Sequence, residues 1–326
     1  MKRFPAALLL AGAVALTGCT EDRNPLSPEG DGAVAAARAD RAAKSEGEPF
    51  TMDPAVKADI EARLTDYVEQ KAAMIAARRA EEGVDLPDGV AVEPLGFAWT
   101  GRLDGETVGA EVIFEDRGNK QFVFQWVPGD PRRGGRTDIG YAIDDLGIFG
   151  NYTAPGVTST ESVAAIDRAM ATWDGQRCSK GLTIPRGDFF EWLFFESDVF
   201  HEGFFSLPPN VIGVTSPFIF VDAVTGDPTD IDADGNLDYA FAIITYNSNF
   251  MWGIDSDIDV ETVALHEMGH GLAQAHFGKA FITPSNNKLH FAPRSVMNAA
   301  YSGVQQSLTG TDRAGHCSMY GSWPNN

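Results

Sequence analysis

The sequence predicts an α/β or α+β sandwich, and the part of the chain after residue 136 carries most of the evidence. There, short apolar runs typical of strands alternate with stretches of helical periodicity. The chain has 326 residues, of which 44% are hydrophobic and 10% aromatic. This length and composition allow one full domain with a buried core, together with a smaller companion region.

The start of the chain, residues 1–19, has the features of an export signal. Basic residues are followed by an apolar run over 6–16 that is too short to span a bilayer. The run ends in Leu-Thr-Gly-Cys, which resembles the bacterial lipobox, whose cysteine is acylated and becomes the first mature residue. The resemblance predicts a lipoprotein anchored through Cys19 to the cell envelope, and Thr20 points to the outer membrane where a cell has one. An ordinary secretory signal, giving an extracellular protein, is the alternative.

A tether and a long helix are predicted next. Residues 20–50 contain almost no large apolar side chain, which predicts a flexible tether. Asp53 and Pro54 form a favourable helix start, since a capping side chain precedes a proline in the first turn. Apolar residues then recur near helical spacing, and Gly83 ends the run.

Strand-like patterns follow this helix. The runs at 111–114 and 121–127 are separated by turn residues and predict a hairpin. Residues 128–135 (PGDPRRGG) mark a boundary. We therefore expect a small helix-plus-hairpin region over 51–135 and a second domain over 136–326. The role of the first region, as a pro-segment or as a packing partner, stays open.

The second domain is predicted to alternate between strands and helices. An amphipathic pattern and an acidic first turn identify its two principal helices. In order, the expected elements are a strand over 139–143, a helix over 162–173, strands over 211–221 and 239–246, a helix over 257–273 and a last helix over 312–320.

Three of the six histidines, His266, His270 and His276, fall in one short stretch. Two histidines four residues apart lie on one face of a helix, so both imidazoles can reach one ion. A third imidazole would leave a fourth position open, which distinguishes catalytic from structural zinc. Glu267 lies beside the pair, where it could take a proton from a water activated by the cation. The pattern predicts catalytic zinc, with Glu267 as general base.

The third zinc ligand has two candidates. No glutamate follows Glu267, which excludes a glutamate ligand from a later helix, and Asp312 is the only acidic residue downstream. His276 and Asp312 therefore remain. The short separation between His276 and the first two histidines favours His276, because a short closure loses less entropy.

The spacing of the histidines and the glutamate resembles the signature of metzincin zinc metalloproteases. Residues 294–298 (RSVMN) look like the Met-turn of that family, which implies that Met297 forms the floor of the site. Residues 261–265 and 308–315 are most similar to matrixins, and the resemblance covers roughly 137–321. It implies a zincin-type α/β/α sandwich with a mixed twisted sheet and an active-site helix.

The sequence departs from this family in two places. Ala273 stands where metzincins usually carry glycine, at the exit from the helix, and a left-handed alanine costs about 1 kcal/mol. The N-terminal region also contains no cysteine after Cys19. It therefore cannot place a thiolate on the zinc, as matrixin pro-segments do.

A second candidate metal site lies at 230–238 (DIDADGNLD), where oxygen ligands alternate around a glycine as a hard cation requires. The EF-hand likeness ends at its twelfth position, Phe241, so we expect a loop site rather than a helix–loop–helix. An acidic solvated turn is the alternative. The predicted calcium ligands are Asp230, Asp232, Asp234, Asn236 and Asp238.

Two cysteines remain once Cys19 is assigned to lipid. An exported protein with two further cysteines is expected to pair them, which predicts a disulfide between Cys178 and Cys317.

The formal net charge of −21 limits the partners. Binding to nucleic acid needs a clustered basic face, and so acidic a surface does not favour anionic lipid headgroups. We therefore expect no nucleic-acid partner and membrane attachment through the N-terminal lipid alone.

These observations predict a zinc-dependent endopeptidase that hydrolyses protein or peptide substrates, with zinc and calcium as its ions. Two alternatives stay open: a zincin that uses Asp312 as third ligand, and a non-catalytic surface-binding lipoprotein. Glu267 argues against the second, since an inactive relative would not need both the base and the ligands.

Overall fold

The structure, a computed structural model, describes residues 48–49, 53–101, 121–144, 151–283 and 288–325. The chain from Gly47 onward forms one compact unit. The predicted signal peptide with Cys19, nearly all of the tether and the predicted strand at 111–114 lie outside the described residues. Among the residues that are described, no helix combines the length and the apolar character needed to cross a bilayer.

The described residues form five α-helices and eleven strands. The helices are α1 (Pro54–Glu81), α2 (Ser159–Asp174), α3 (Phe189–Leu193), α4 (Val260–Gly271) and α5 (Gly310–Tyr320). The strands are β1 (Glu48–Pro49), β2 (Val90–Pro94), β3 (Ala98–Gly101), β4 (Phe124–Gln125), β5 (Tyr141–Ile143), β6 (Arg186–Gly187), β7 (Val199–Phe205), β8 (Val211–Asp222), β9 (Leu237–Asn247), β10 (Lys279–Thr283) and β11 (Lys288–Ala292).

Eight strands form one mixed sheet, which confirms the predicted α+β class. The order is β2-β8-β9-β7-β5-β6, with β3 also on β8 and β4 also on β9. Strands β5, β6, β7 and β9 are parallel, whereas β8 runs antiparallel to β9 and carries β2 and β3 antiparallel along its other edge. A separate antiparallel sheet contains β1, β10 and β11.

Helices pack on both faces of the main sheet, because successive side chains of a strand point to opposite faces. In β5, Tyr141 and Ile143 belong to the core that also contains residues of α2 and α4, whereas Ala142 belongs to the core shared with α1 and α3. In β7, Val199 and Phe200 divide in the same way. The α4 side of the sheet therefore positions the histidine cluster, and α1 covers the opposite side.

The N-terminal region shares the sheet and core of the rest of the chain. Its helix α1 is attached by an ion pair between Lys71 and Glu202 of β7, and the Tyr67 hydroxyl donates to the same carboxylate at 2.8 Å. Strands β2 and β3 extend the sheet beyond β8. Within the predicted strand at 121–127, only β4 is strand, and it pairs in parallel with β9.

Candidate metal centre

Helix α4 carries the first two histidines and Glu267, and all twelve of its residues are buried. It begins after Asp259, whose side chain caps the helix by accepting a hydrogen bond from Thr262 N at 2.8 Å. That cap explains why the helix starts at Val260 rather than at 257, where the acidic pattern begins. The indole of Trp173 in α2 donates to the carbonyl of Leu265 at 2.9 Å and fixes α4 against α2.

The structure brings His266, His270 and His276 together. Their Nε2 atoms are 3.0, 3.1 and 3.2 Å apart in pairs. Nitrogen atoms bound to one zinc ion at about 2.0–2.1 Å with tetrahedral angles would be roughly 3.3 Å apart. The donor set and its spacing therefore fit a zinc ion.

Backbone carbonyls fix the tautomers of two of these imidazoles. His266 Nδ1 donates to the carbonyl of Val296 at 2.6 Å, and His270 Nδ1 donates to that of Gln274 at 2.7 Å. A carbonyl only accepts, so the proton lies on Nδ1 and the Nε2 lone pair faces the cluster. Burial lowers the pKa of His266 to about 4 and lowers the pKa values of His270 and His276 well below 6.5. The neutral imidazoles are the form that binds metal.

A tight turn after α4 returns His276 to the first two histidines. Ala273 has a φ of 57°, the left-handed conformation expected from the sequence. The turn is fixed by a hydrogen bond from Gln274 N to the Gly269 carbonyl at 2.9 Å, and by one from Phe277 N to the Met297 carbonyl at 2.7 Å.

Met297 packs directly against α4, where only glycine leaves room. A Cβ atom on Gly269 would lie 2.2 Å from the Met297 sulfur, and Met297 is completely buried. The turn that presents Met297 is closed by Asn298, whose side-chain oxygen accepts from Ser295 N at 2.9 Å.

The carboxylate of Asp312 holds this turn in place. Asp312 lies in the first turn of α5 and accepts hydrogen bonds from Val296 N and Met297 N, both at 3.1 Å. It also accepts from Thr309 N at 2.8 Å and the Thr309 hydroxyl at 2.7 Å. Its oxygens are therefore engaged by the backbone and by Thr309, while His276 completes the histidine group.

Glu267 is fully buried beside the sheet. The Thr100 hydroxyl of β3 donates to its Oε1 at 2.7 Å, and the Thr215 hydroxyl of β8 donates to its Oε2 at 2.7 Å. Burial raises the pKa of Glu267 to about 8, and the two hydroxyls act in the lowering direction. Sequence reasoning missed both threonines, because neither belongs to a motif and the sheet brings them to α4 from distant parts of the chain.

Four of the predicted calcium residues lie on the loop between β8 and β9, and the fifth, Asp238, lies at the start of β9. Carboxylate oxygens of Asp230, Asp232 and Asp238 lie within 4.8 Å of one another. Asp230 accepts hydrogen bonds from Asp234 N at 3.1 Å and from Gly235 N at 2.9 Å. Backbone N–H groups of the loop therefore surround its own carboxylates. Phe241, the twelfth position of the EF-hand comparison, belongs to strand β9 rather than to a helix.

Two further features distinguish this candidate site. The side-chain oxygen of Asn236 is buried without a hydrogen-bond partner, and the residue is 8% exposed. Asp238 is 1% exposed and accepts from Arg132 at 2.7 Å and from the Thr229 hydroxyl at 2.6 Å. Burial and the neighbouring carboxylates raise the pKa of Asp232.

The structure joins Cys178 and Cys317 in a disulfide with a Cα separation of 5.6 Å. It ties the segment after α2 to α5, the helix that carries Asp312.

The other three histidines lie away from the cluster. His201 is buried against the Tyr246 hydroxyl at 2.7 Å, and His316 is buried against the Ser179 hydroxyl at 2.7 Å. His290 lies on β11, and its ring stacks on that of Phe281.

No protein-family model matches the chain, and no curated protein compared with it is similar in sequence. Any functional assignment therefore depends on the residues and their geometry.

Proposed function

We propose that this chain is a zinc-dependent endopeptidase. The observation that carries the proposal is the group of three Nε2 atoms, 3.0–3.2 Å apart, on and just after the helix that also carries the buried Glu267. A closed structural zinc site explains this arrangement less well, because such sites favour cysteine and have no use for an adjacent carboxylate.

His266, His270 and His276 would hold the zinc. When bound by three imidazoles, zinc supplies Lewis-acid chemistry that suits hydrolysis of an amide. Glu267 would accept a proton at a carboxylate oxygen and return it to the leaving amine. Val296 and Gln274 keep two imidazoles oriented through their carbonyls, and so act before any substrate binds.

The proposal also includes the type of sandwich and the protein family. A mixed sheet with helices on both faces, and Met297 packed beneath α4 at Gly269, support a zincin-type sandwich of the metzincin kind, closest to matrixins. The engagement of Asp312 with the Met-turn supports His276 over Asp312 as third ligand.

The proposed location is outside the cytoplasm, with Cys19 lipidated at the cell envelope and proteins or peptides as substrates. The disulfide between Cys178 and Cys317 supports an oxidising compartment, since disulfides persist mainly there.

Calcium is the second ion we propose, bound by Asp230, Asp232, Asp234, Asn236 and Asp238. The unpartnered, buried oxygen of Asn236 supports this assignment, because a buried acceptor without a donor is costly unless a ligand satisfies it. The loop geometry supports binding within a β8–β9 connection.

Metal analysis combined with digestion of casein or gelatin tests the main proposal. We expect one zinc per chain, and we expect Glu267→Ala to retain that zinc while losing activity by about 10²–10⁴-fold. Glu261→Gln is the matched control, because Glu261 lies on the same helix but its carboxylate is paired with Arg168 of α2. Undiminished cleavage by purified Glu267→Ala would refute the mechanism.

A further inference from the structure

Strand β3 lies in a slot beside the proposed catalytic residue. Along one side it pairs antiparallel with β8, where Thr100 faces Gly213 across the ladder. Along its other side, Gly101 forms a parallel bridge to Ala300, and its carbonyl accepts a hydrogen bond from Tyr301 N at 3.0 Å. A short extended segment is therefore bonded between a sheet edge and the chain that follows the Met-turn. Such a slot suits an extended peptide, which can add to a sheet edge through main-chain hydrogen bonds.

Strand β3 fills the slot beside the carboxylate of Glu267, the proposed general base. The Thr100 hydroxyl donates to Oε1 of Glu267, and the Thr215 hydroxyl donates to Oε2. The cavity that Thr100 and His266 line, together with Ala300 and Tyr301, measures about 10 Å³. That volume is about the size of one water molecule. A peptide group therefore has no room in this cavity while β3 is in place.

Strand β3 and the residue before it are anchored through the side chains that point away from Glu267. The side chains of Phe97 and Trp99 point away from Glu267, and they are buried in a cluster with Leu64 of α1 and Val214 of β8. Helix α1 itself is fixed by the ion pair of Lys71 with Glu202 and by a hydrogen bond from Arg79 to the Leu193 carbonyl at 3.0 Å. Opening the slot therefore requires Phe97 and Trp99 to leave this cluster, while these two contacts still hold α1.

We infer that residues 97–101 act as an internal competitor for the peptide-binding edge of β8, so that the chain folds in a self-blocked form. The inference builds on the proposed peptidase function. The segment that occupies the slot is an extended part of the chain itself, and the hydroxyl of Thr100 is hydrogen-bonded to the proposed general base, Glu267. Substrate gains access only when β3 leaves β8, and the apparent specificity constant scales with the fraction of molecules in which it has left.

Another role for Thr100 predicts the opposite result. If Thr100 were a permanent positioning residue that orients Glu267 during catalysis, its loss would lower kcat, and serine at that position would restore it. Self-blocking instead predicts that Thr100→Val raises kcat/KM, because the valine keeps the strand shape but no longer donates to Glu267.

The test uses the full mature protein loaded with zinc. Trp99→Ala removes the anchor of β3, and Ile75→Ala is the matched control, because it removes a buried side chain of α1 from the separate cluster that contains no residue of β3. A labelled peptide with the sequence of residues 95–101 (LGFAWTG) reports on the slot by fluorescence polarisation and requires no catalysis. Casein hydrolysis is measured in parallel, with a Glu267→Ala version of each variant as background.

We expect Trp99→Ala to bind the peptide and to exceed wild-type kcat/KM by at least about tenfold, with a smaller rise for Thr100→Val. Wild type and Ile75→Ala should bind the peptide weakly. Peptide binding by Trp99→Ala without hydrolysis in any protein would support self-blocking and count against the peptidase function. Hydrolysis by wild type at the Trp99→Ala rate, or a folded Trp99→Ala that does not bind the peptide, would overturn self-blocking.

If Trp99→Ala does not fold, the kcat/KM of Thr100→Val decides whether β3 blocks the site. A raised kcat/KM supports self-blocking, whereas an unchanged or lowered value overturns it. A lowered value restored by Thr100→Ser assigns Thr100 to positioning.

Discussion

The histidine cluster and the aspartate loop both consist of residues close in sequence, yet the structure holds their ligand atoms differently. His266 and His270 are buried, His276 is partly buried, and backbone carbonyls orient the first two rings before any ion arrives. In the loop, Asp230 and Asp232 are exposed, and their carboxylates bond to backbone N–H groups of the same turn. The two sites therefore differ in preorganisation, that is, in how far the candidate ligand atoms are held in place before an ion binds. Preorganisation determines the affinity of the protein for the ion and how much the bound ion stabilises the fold.

The largest effect should come from removing a ligand of the preorganised site. We expect His276→Ala to lower zinc affinity by more than about 100-fold, beyond the 10–100-fold typical of losing a residue that only orients a ligand through a hydrogen bond. Competition with a chromophoric chelator at fixed pH measures this. His290→Ala, which changes an isolated histidine, should leave the affinity unchanged. Retention of affinity in His276→Ala would reopen the case for Asp312 as ligand.

Next in size is the support beneath the site. Asp312→Asn weakens the acceptor for two hydrogen bonds from the turn of Met297 and two from Thr309, so we expect a loss of about 1–3 kcal/mol in the free energy of unfolding. Zinc should remain bound. Denaturant titration measures the loss, and the exposed Asp85→Asn should change stability by less than about 0.5 kcal/mol. Loss of zinc at unchanged stability would contradict a supporting role.

The exposed loop should respond more weakly. With a dissociation constant of about 0.1 mM, 1 mM calcium stabilises the folded state by about 1.4 kcal/mol, which raises Tm by roughly 2–4 °C. Asp232→Asn combined with Asp234→Asn should abolish this response, whereas Asp227→Asn should retain it. Thermal unfolding with and without calcium makes the comparison. Equal responses in all three proteins would identify the loop as a solvated turn.

The smallest effect concerns the turn that leads to His276. Ala273→Gly relieves a left-handed alanine but removes a buried methyl group, and each contribution is about 1 kcal/mol. We therefore expect a net change in stability below about 1 kcal/mol and unchanged zinc affinity. Gly269→Ala provides the contrast, since its Cβ would meet Met297 and cost about 1–3 kcal/mol. Equal unfolding curves for the two variants would contradict this account of the turn.

Sequence alone predicted what depends on short-range spacing. The three histidines and helix α4 follow from periodicity and offsets within one segment, and the β8–β9 loop follows from its alternating acids. Thr100 and Thr215 could not be found, because sheet pairing brings them to Glu267 from two distant strands. The carbonyls of Val296 and Gln274 carry no side-chain signal.

The N-terminal region shows the same limit at the level of the fold. Its helix was predictable from the cap at Asp53, since Asp53 accepts a hydrogen bond from Ala55 N at 2.8 Å. Its strands β2 and β3 pair with β8, more than a hundred residues away in sequence. No local pattern encodes that register, so the sequence predicts a separate region over 51–135, whereas β2 and β3 lie in the sheet of the following part of the chain.

The bond between Cys178 and Cys317 has a consequence for how damage to this chain would be observed. The two cysteines are separated by 139 positions, and both candidate metal-site segments lie between them. A single backbone cut anywhere in that span would leave two fragments that migrate as one band on a gel until a reductant is added. A nicked molecule would thus keep its mass, and intactness must be judged under reducing conditions.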